Sequence, residues 1–431
     1  MRAIAQVFFS DVLSKVIVGL TTIILIRRMT HTEFASYTVA FAVVALITQM
    51  IAGSFNRMYI LMDERIDRTI TVETYIAAQL WTCFGMVFIT LPFGLLLTGL
   101  YVPSLILLVG FLLSEFAKTY YQEKCNFVRL SMVELARSGL FLASLCTIDL
   151  LLEEQLTAER TALLQGMIMI IITLTVFAGR IRLKKLIDYR NAPRLLRMIL
   201  TGEHKYITGY FVLVAVLSNL TVLLLRMQDD DYQLALFASA FRYFSMMSLC
   251  LSAVHVVMLP AIRQTIDKNE IQRLFIRHRK MLPWFIVWVF LAALGSGWII
   301  PLIDGGKYPE SVGVFQVLAA SLVFSFAFSP YINLLLIIRH YKFIFWLMVV
   351  GVSVTAIIST ALIACAGAIG AACGFSIAMA GINYVVYKQA RHCLCKAYDC
   401  FNNTQEHAAF QVPIINHQSV CLAKASQRHD R

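Results

Sequence analysis

The sequence predicts an all-α polytopic membrane protein. Twelve transmembrane helices are expected in two six-helix lobes related by a pseudo-twofold axis along the membrane normal. Three observations predict this. Mean hydropathy is +0.74, with 59% apolar and 14% charged residues, whereas soluble domains carry roughly 25% charged residues. Twelve apolar stretches are each about the 20 residues needed to cross a bilayer core as a helix. A segment also recurs: Ala35, Tyr37, Ala40 and Phe41 are echoed by Ala235, Phe237, Ala240 and Phe241. Both copies follow an apolar run, arginine and a short acidic turn, Arg28 to Glu33 and Arg226 to Asp231. Such internal duplication is typical of transporters whose site lies between the halves.

The first lobe, 1–179, holds spans at about 4–26, 34–56, 75–97, 102–121, 131–151 and 161–179. The first span carries Asp11 and Lys15 and lacks an Ala-x-Ala site, so it reads as a helix and not as a cleavable signal. A basic linker, 180–205, follows. Arg182, Lys184, Lys185, Arg190, Arg194 and Arg197 alternate there with Leu and Ile, and Pro193 divides it into two amphipathic pieces. This pattern predicts an interfacial segment on an anionic leaflet, with membrane lipid as its partner. The second lobe, 206–390, holds spans at about 206–226, 233–259, 282–303, 312–338, 343–364 and 367–389. Residues 391–431 are polar and aperiodic, which predicts a disordered cytosolic tail.

Charge sets the orientation. Arg27, Arg28, Arg160, Arg226 and Lys307 fall on one face, whereas thirty Lys and Arg fall on or near the other. The positive-inside rule then puts both termini in the cytosol. The net charge of +12 is accounted for by these loops, so nucleic acid is not an expected partner. The outer loops are short and mostly acidic, with no room for a folded catalytic domain. No outer loop holds a cysteine pair, so no disulfide is expected. His392, Cys393, Cys395 and Cys400 are a weak metal signal, and the three cysteines read in preference as reduced cytosolic thiols.

Charge inside the membrane costs about 2.5–3.5 kcal/mol per residue on insertion scales, so it faces a cavity or a partner. Asp11 and Lys15 lie one turn apart on one face of the first helix. They read either as a self-neutralising pair or as a cavity-facing pair, with Lys15 on an anion and Asp11 tuning it or carrying a proton. Arg242 lies near mid-membrane with no acid one turn away. It reads as a substrate contact, since its planar fork suits phosphate, or as a partner of Asp11 or of a backbone carbonyl. Glu115, Lys118, Glu134 and Arg137 lie nearer the cytosolic face, as a structural charge cluster or an inner gate. His255 is a candidate proton carrier, and Asn219 and Asn333 are expected to bond between helices. No Walker loop, nucleophile elbow, zinc spacing or dinucleotide fingerprint occurs, so an enzyme is not expected. No cofactor is predicted, and proton and sodium both stay open as coupling ions.

Five segments together carry a family outline: Arg28-Met-Thr-His-Thr-Glu-Phe-Ala-Ser-Tyr37, Asp231 to Arg242, Met258-Leu-Pro-Ala-Ile-Arg263, Asp304-Gly-Gly-Lys-Tyr308 and Gly367-Ala-Ile-Gly-Ala-Ala-Cys373. In order and spacing they resemble the multidrug/oligosaccharidyl-lipid/polysaccharide (MOP) flippase superfamily, with Wzx-type O-antigen and polysaccharide flippases as the nearest branch. The outline covers about 1–390. It departs from the family pattern where Ala35 and Ala235 stand for glycines and where Arg27-Arg28 is doubled. The resemblance implies alternating-access transport of an undecaprenyl-pyrophosphate-linked oligosaccharide across the bacterial inner membrane. It also implies work alongside a polysaccharide polymerase and chain-length machinery. The rivals are a multidrug exporter of the same superfamily and a membrane glycan polymerase or ligase.

Overall fold

A computed structural model describes residues 2–61, 72–94, 99–123, 126–151, 156–177, 191–201, 204–248, 251, 268–338 and 340–403. The side chains of Asp11, Lys15 and Arg57 fall outside the described residues, as do His255, the Met258–Arg263 motif and the side chains of Cys395 and Cys400. All regular structure among the described residues is helical. The first half contains α1 (Arg2–Arg28), α2 (His31–Leu61), α3 (Val72–Gly94), α4 (Tyr101–Glu123), α5 (Phe127–Leu151) and α6 (Ala158–Phe177). The short α7 (Asn191–Leu200) leads into α8 (His204–Arg226), α9 (Asp231–Met247), α10 (Lys268–Asp304), α11 (Ser311–Ile337) and α12 (Tyr341–Asn403). Eight described stretches are long and apolar enough to cross a membrane. The chain is a multi-pass membrane protein. On α10, Trp284 and Trp298 are 78% and 86% exposed, with Phe290, Leu291 and Leu294 exposed between them. Such a stripe suits acyl chains with aromatic residues towards both interfaces.

α12 holds two helices. Ala366 (φ −141, ψ 16) and Gly367 (φ 53, ψ −128) break it, between the spans read as 343–364 and 367–389. Gly351 lies against Ile382, Gly374 against Ser359 and Gly370 against Leu362, so the two segments run antiparallel. A Cβ on Gly374 would come within 2.7 Å of the Ser359 Cα. Small residues let the backbones approach this closely. The same device joins α4 to α6, where a Cβ on Gly166 would stand 2.7 Å from the Leu107 nitrogen.

Two expectations need correction, and a third falls partly outside the described residues. The tail is not disordered from 391, because α12 continues to Asn403. Its contacts outlast the apolar run: Arg391 donates to the Tyr387 hydroxyl at 3.0 Å, and Cys393 Sγ lies 3.8 Å from His340 Nε2. The linker piece expected before Pro193 lies in 178–190, outside the described residues. Pro193 itself sits in the first turn of α7, where its missing N–H is no loss. Ala192 and Leu195 are buried beneath that helix while Arg194 and Arg197 are exposed, which makes it amphipathic. Finally, α10 begins at Lys268 and not near 282, taking the basic segment before the span into one long helix.

α2 organises the packing. It lies against α3, α4 and α6 of its own half and against α8 and α9 of the other, while α1 packs on α5 and reaches α9 and α10. Local chemistry repeats at the two helices that carry the recurring segment. The Glu33 carboxylate of α2 accepts from the Ala158 N–H at 2.6 Å, at the start of α6. The Gln233 amide oxygen of α9 accepts from the Ala368 N–H at 2.9 Å, just past the break in α12. Each acceptor satisfies an otherwise orphan helix N-terminus. Each also stands two residues before a fully buried alanine, Ala35 or Ala235.

Candidate functional site

α9 starts firmly. The Asp230 carboxylate accepts from the Tyr232 and Gln233 N–H groups at 3.0 Å each, a normal N-cap. Arg226 clamps Asp231 at 2.6 Å beside it. From this fixed start, a rise of 1.5 Å per residue places Arg242 roughly 17 Å along α9.

Arg242 is partly buried at the contact between α9 and α2. Its guanidinium carbon lies 4.8 Å from the Phe41 ring centroid. A cation over an aromatic face gains about 0.5–2 kcal/mol, depending on its desolvation. Among the described residues the guanidinium has no hydrogen-bond or ion-pair partner. Aromatic rings line the neighbourhood. Phe41 meets Phe111 edge-on at 5.5 Å, and Phe241 stacks on Phe237 at 5.6 Å. The buried Tyr37 donates its hydroxyl to the Gln165 amide oxygen at 2.8 Å, which fixes α2 to α6 one turn from Phe41. The described residues thus bring one cation and an aromatic surface together at the α2–α9 seam. Asp11 and Lys15 lie on α1, which touches α9.

Glu115, Lys118, Glu134 and Arg137 come together on α4 and α5. Lys118 bridges Glu115 at 2.6 Å and also contacts Glu134. Arg137 reaches Glu134 at 2.9 Å and Glu115 at 3.8 Å, and donates to Ser114 at 3.3 Å. Two acids and two bases close a neutral square within one half. Asn219, expected to bond between helices, donates instead to the Ala215 carbonyl of its own helix at 2.9 Å. A buried amide on a helix finds that carbonyl with no tertiary fit required.

A further cluster joins the halves at the opposite end, and sequence reasoning counted its cations only as outer-loop charge. Arg27 donates to the Ile303 and Leu302 carbonyls at 2.7 and 2.8 Å. Lys307 donates to the Ile26 carbonyl at 2.9 Å and also to that of Met29. Burial lowers the Lys307 ammonium below the usual lysine range, and Asp304 opposes that shift. Asp304 is 2% exposed and accepts from Ser239 at 2.6 Å and from Tyr243.

No protein-family model and no curated protein matches the chain. Solved structures do. The chain is similar to an inward-facing multidrug resistance MATE family transporter of the MOP superfamily, with a TM-score of 0.72 at 11% identity, covering 91% of this chain and 96% of that one. An outward-facing transporter of the same description scores 0.61 at 12% identity, covering 92% and 96%. The lipid II flippase MurJ in an inward closed conformation scores 0.67 at 13% identity, covering 98% of both chains. The fold of this chain is that of MOP-superfamily transporters.

Proposed function

We propose that the protein is a flippase that carries a lipid-linked oligosaccharide across the bacterial inner membrane by alternating access, with both termini in the cytosol. One observation carries this reading: Arg242, a partly buried cation at the α2–α9 seam with no acidic partner among the described residues. A pyrophosphate leaving water needs a compensating cation, and an arginine fork supplies two aligned donors. The neighbouring rings offer faces for the sugars. Lys15 would add a second cation from α1, with Asp11 tuning it. The two half-equivalent caps, Glu33 on α6 and Gln233 on α12, support a duplicated two-lobe architecture with the cleft between lobes. The likeness to a lipid II flippase supports the same substrate class.

A second reading is drug export. Phe41, Phe111, Phe237 and Phe241 favour it, as does the likeness to multidrug transporters. Deleting the gene separates the two. The flippase reading expects surface glycan to disappear and lipid-linked repeat units to accumulate on the cytosolic leaflet, along with loss of supply to the polymerase and chain-length machinery. Normal surface glycan with altered drug sensitivity would establish the exporter. Repeat units that cross but stay unpolymerised would point to a polymerase.

A further inference from the structure

We propose that Arg27 and Lys307 form a releasable latch that shuts the outer face of the transporter. The inference rests on the alternating-access reading and names the residues that would hold one of its states. The last carbonyls of a helix lack intrahelical partners, and they form the negative end of its dipole. α1 and α10 both end at this junction. Arg27 belongs to the last turn of α1, yet its side chain leaves its own helix and caps Leu302 and Ile303 at the end of α10. Lys307 follows α10, yet it reaches back to cap Ile26 and Met29 at the end of α1. Each helix end thus supplies the cation that satisfies the other. This exchange ties the first half to the second.

The surroundings complete a closure. Tyr308 is 1% exposed and plugs the seam. Its ring meets His31 at 5.1 Å and Phe34 and Tyr232 at 6.2 Å, so α2, α9 and the loop after α10 meet around it. Asp304 is the sole buried carboxylate among the described residues. It anchors the end of α10 to α9 through Ser239 and Tyr243, within electrostatic reach of both cations. One shared counter-charge therefore serves two cations held on carbonyls. Arg27 itself is exposed, so water can take over its bonds when the halves part. That makes the contact reversible, unlike the α4–α5 square, which rigid motion of one half against the other would leave intact. The chain's greater likeness to an inward-facing than to an outward-facing transporter agrees with a closed outer face.

The test reads conformation and not cargo. Spin labels are attached through non-canonical residues at the exposed positions Thr32 and Glu310, across the seam, in the purified full chain. Pulsed dipolar spectroscopy should give one dominant distance. The Arg27→Gln/Lys307→Gln double variant should raise the population of longer distances roughly tenfold, equivalent to about 1.4 kcal/mol. Arg27→Lys should keep most of the short distance, because a donor cation survives. Arg226→Gln breaks a half-buried pair within one half and should match the parent. An unchanged distribution in the double variant, at parental thermal stability, would overturn the latch. So would loss of its folded peak on size exclusion, since the cations would then be holding the fold. The expected shift, found in a protein whose deletion leaves surface glycan normal, would support the latch and remove the flippase reading.

Discussion

Arg242 combines two properties that are rarely compatible: a permanent charge and a partly buried place between two helices. Its stacking on Phe41 offsets some of the desolvation but uses none of its N–H donors. Charge should therefore matter more than bulk. Arg242→Ala should nearly abolish transport at normal protein abundance, and Arg242→Lys should retain part of it, because charge survives while the two-pronged geometry is lost. Complementation of surface glycan in a deletion strain, with immunoblots for abundance, measures both; full activity of the alanine variant would remove Arg242 from the site. Glu134 presents the opposite situation. It contacts both Lys118 and Arg137, and its side chain is 14% exposed against 33% for Glu115. Glu134→Gln should lower the unfolding midpoint in detergent by the equivalent of roughly 1–2 kcal/mol, and Glu115→Gln by less, since removing one partner of a shielded pair strands the others. Adding Lys118→Gln to Glu134→Gln should cost less than the sum of the single effects.

Individual elements owe their form to small residues and caps as much as to hydrophobicity. Gly166 lies so close to the α4 backbone that any side chain must push the helices apart. Gly166→Val should therefore sharply reduce folded protein, as seen by fluorescence-detected size exclusion. Gly139→Ala, on the same scale, has nothing within 4 Å of the added carbon and should be neutral or slightly stabilising through helix propensity. Equal losses from both would mean that helix interior flexibility, and not close approach, governs these positions. The hairpin in α12 was partly legible from Gly367, which has the positive φ that glycine adopts without strain. The continuation of α12 past 390 was not, because polar residues carry no helical periodicity there and contacts to His340 come from another part of the chain.

At the scale of the whole molecule, orientation is the first consequence to check. The turn between α8 and α9 should face outward and α7 should face the cytosol. A cysteine placed by Gln228→Cys should react with an impermeant thiol reagent added to spheroplasts, whereas Asn191→Cys should not. The reverse pattern would invert the topology and move the latch to the inner face.

The sequence by itself determined the all-helical membrane class and the repeated segment. Apolar length and a register of buried alanines depend only on local composition and on which residues recur. It also singled out Arg242, because an uncompensated charge within an apolar run stands out without any partner being known. Tertiary structure alone decided what such charges meet. The Lys118–Glu134 contact joins two helices, and the Arg27 and Lys307 bonds span more than 270 residues of sequence. Arg27 and Lys307 donate to backbone carbonyls, which every residue carries, so no side-chain pattern could reveal the acceptors. Only the folded chain brings those two helix ends close enough for each to satisfy the other.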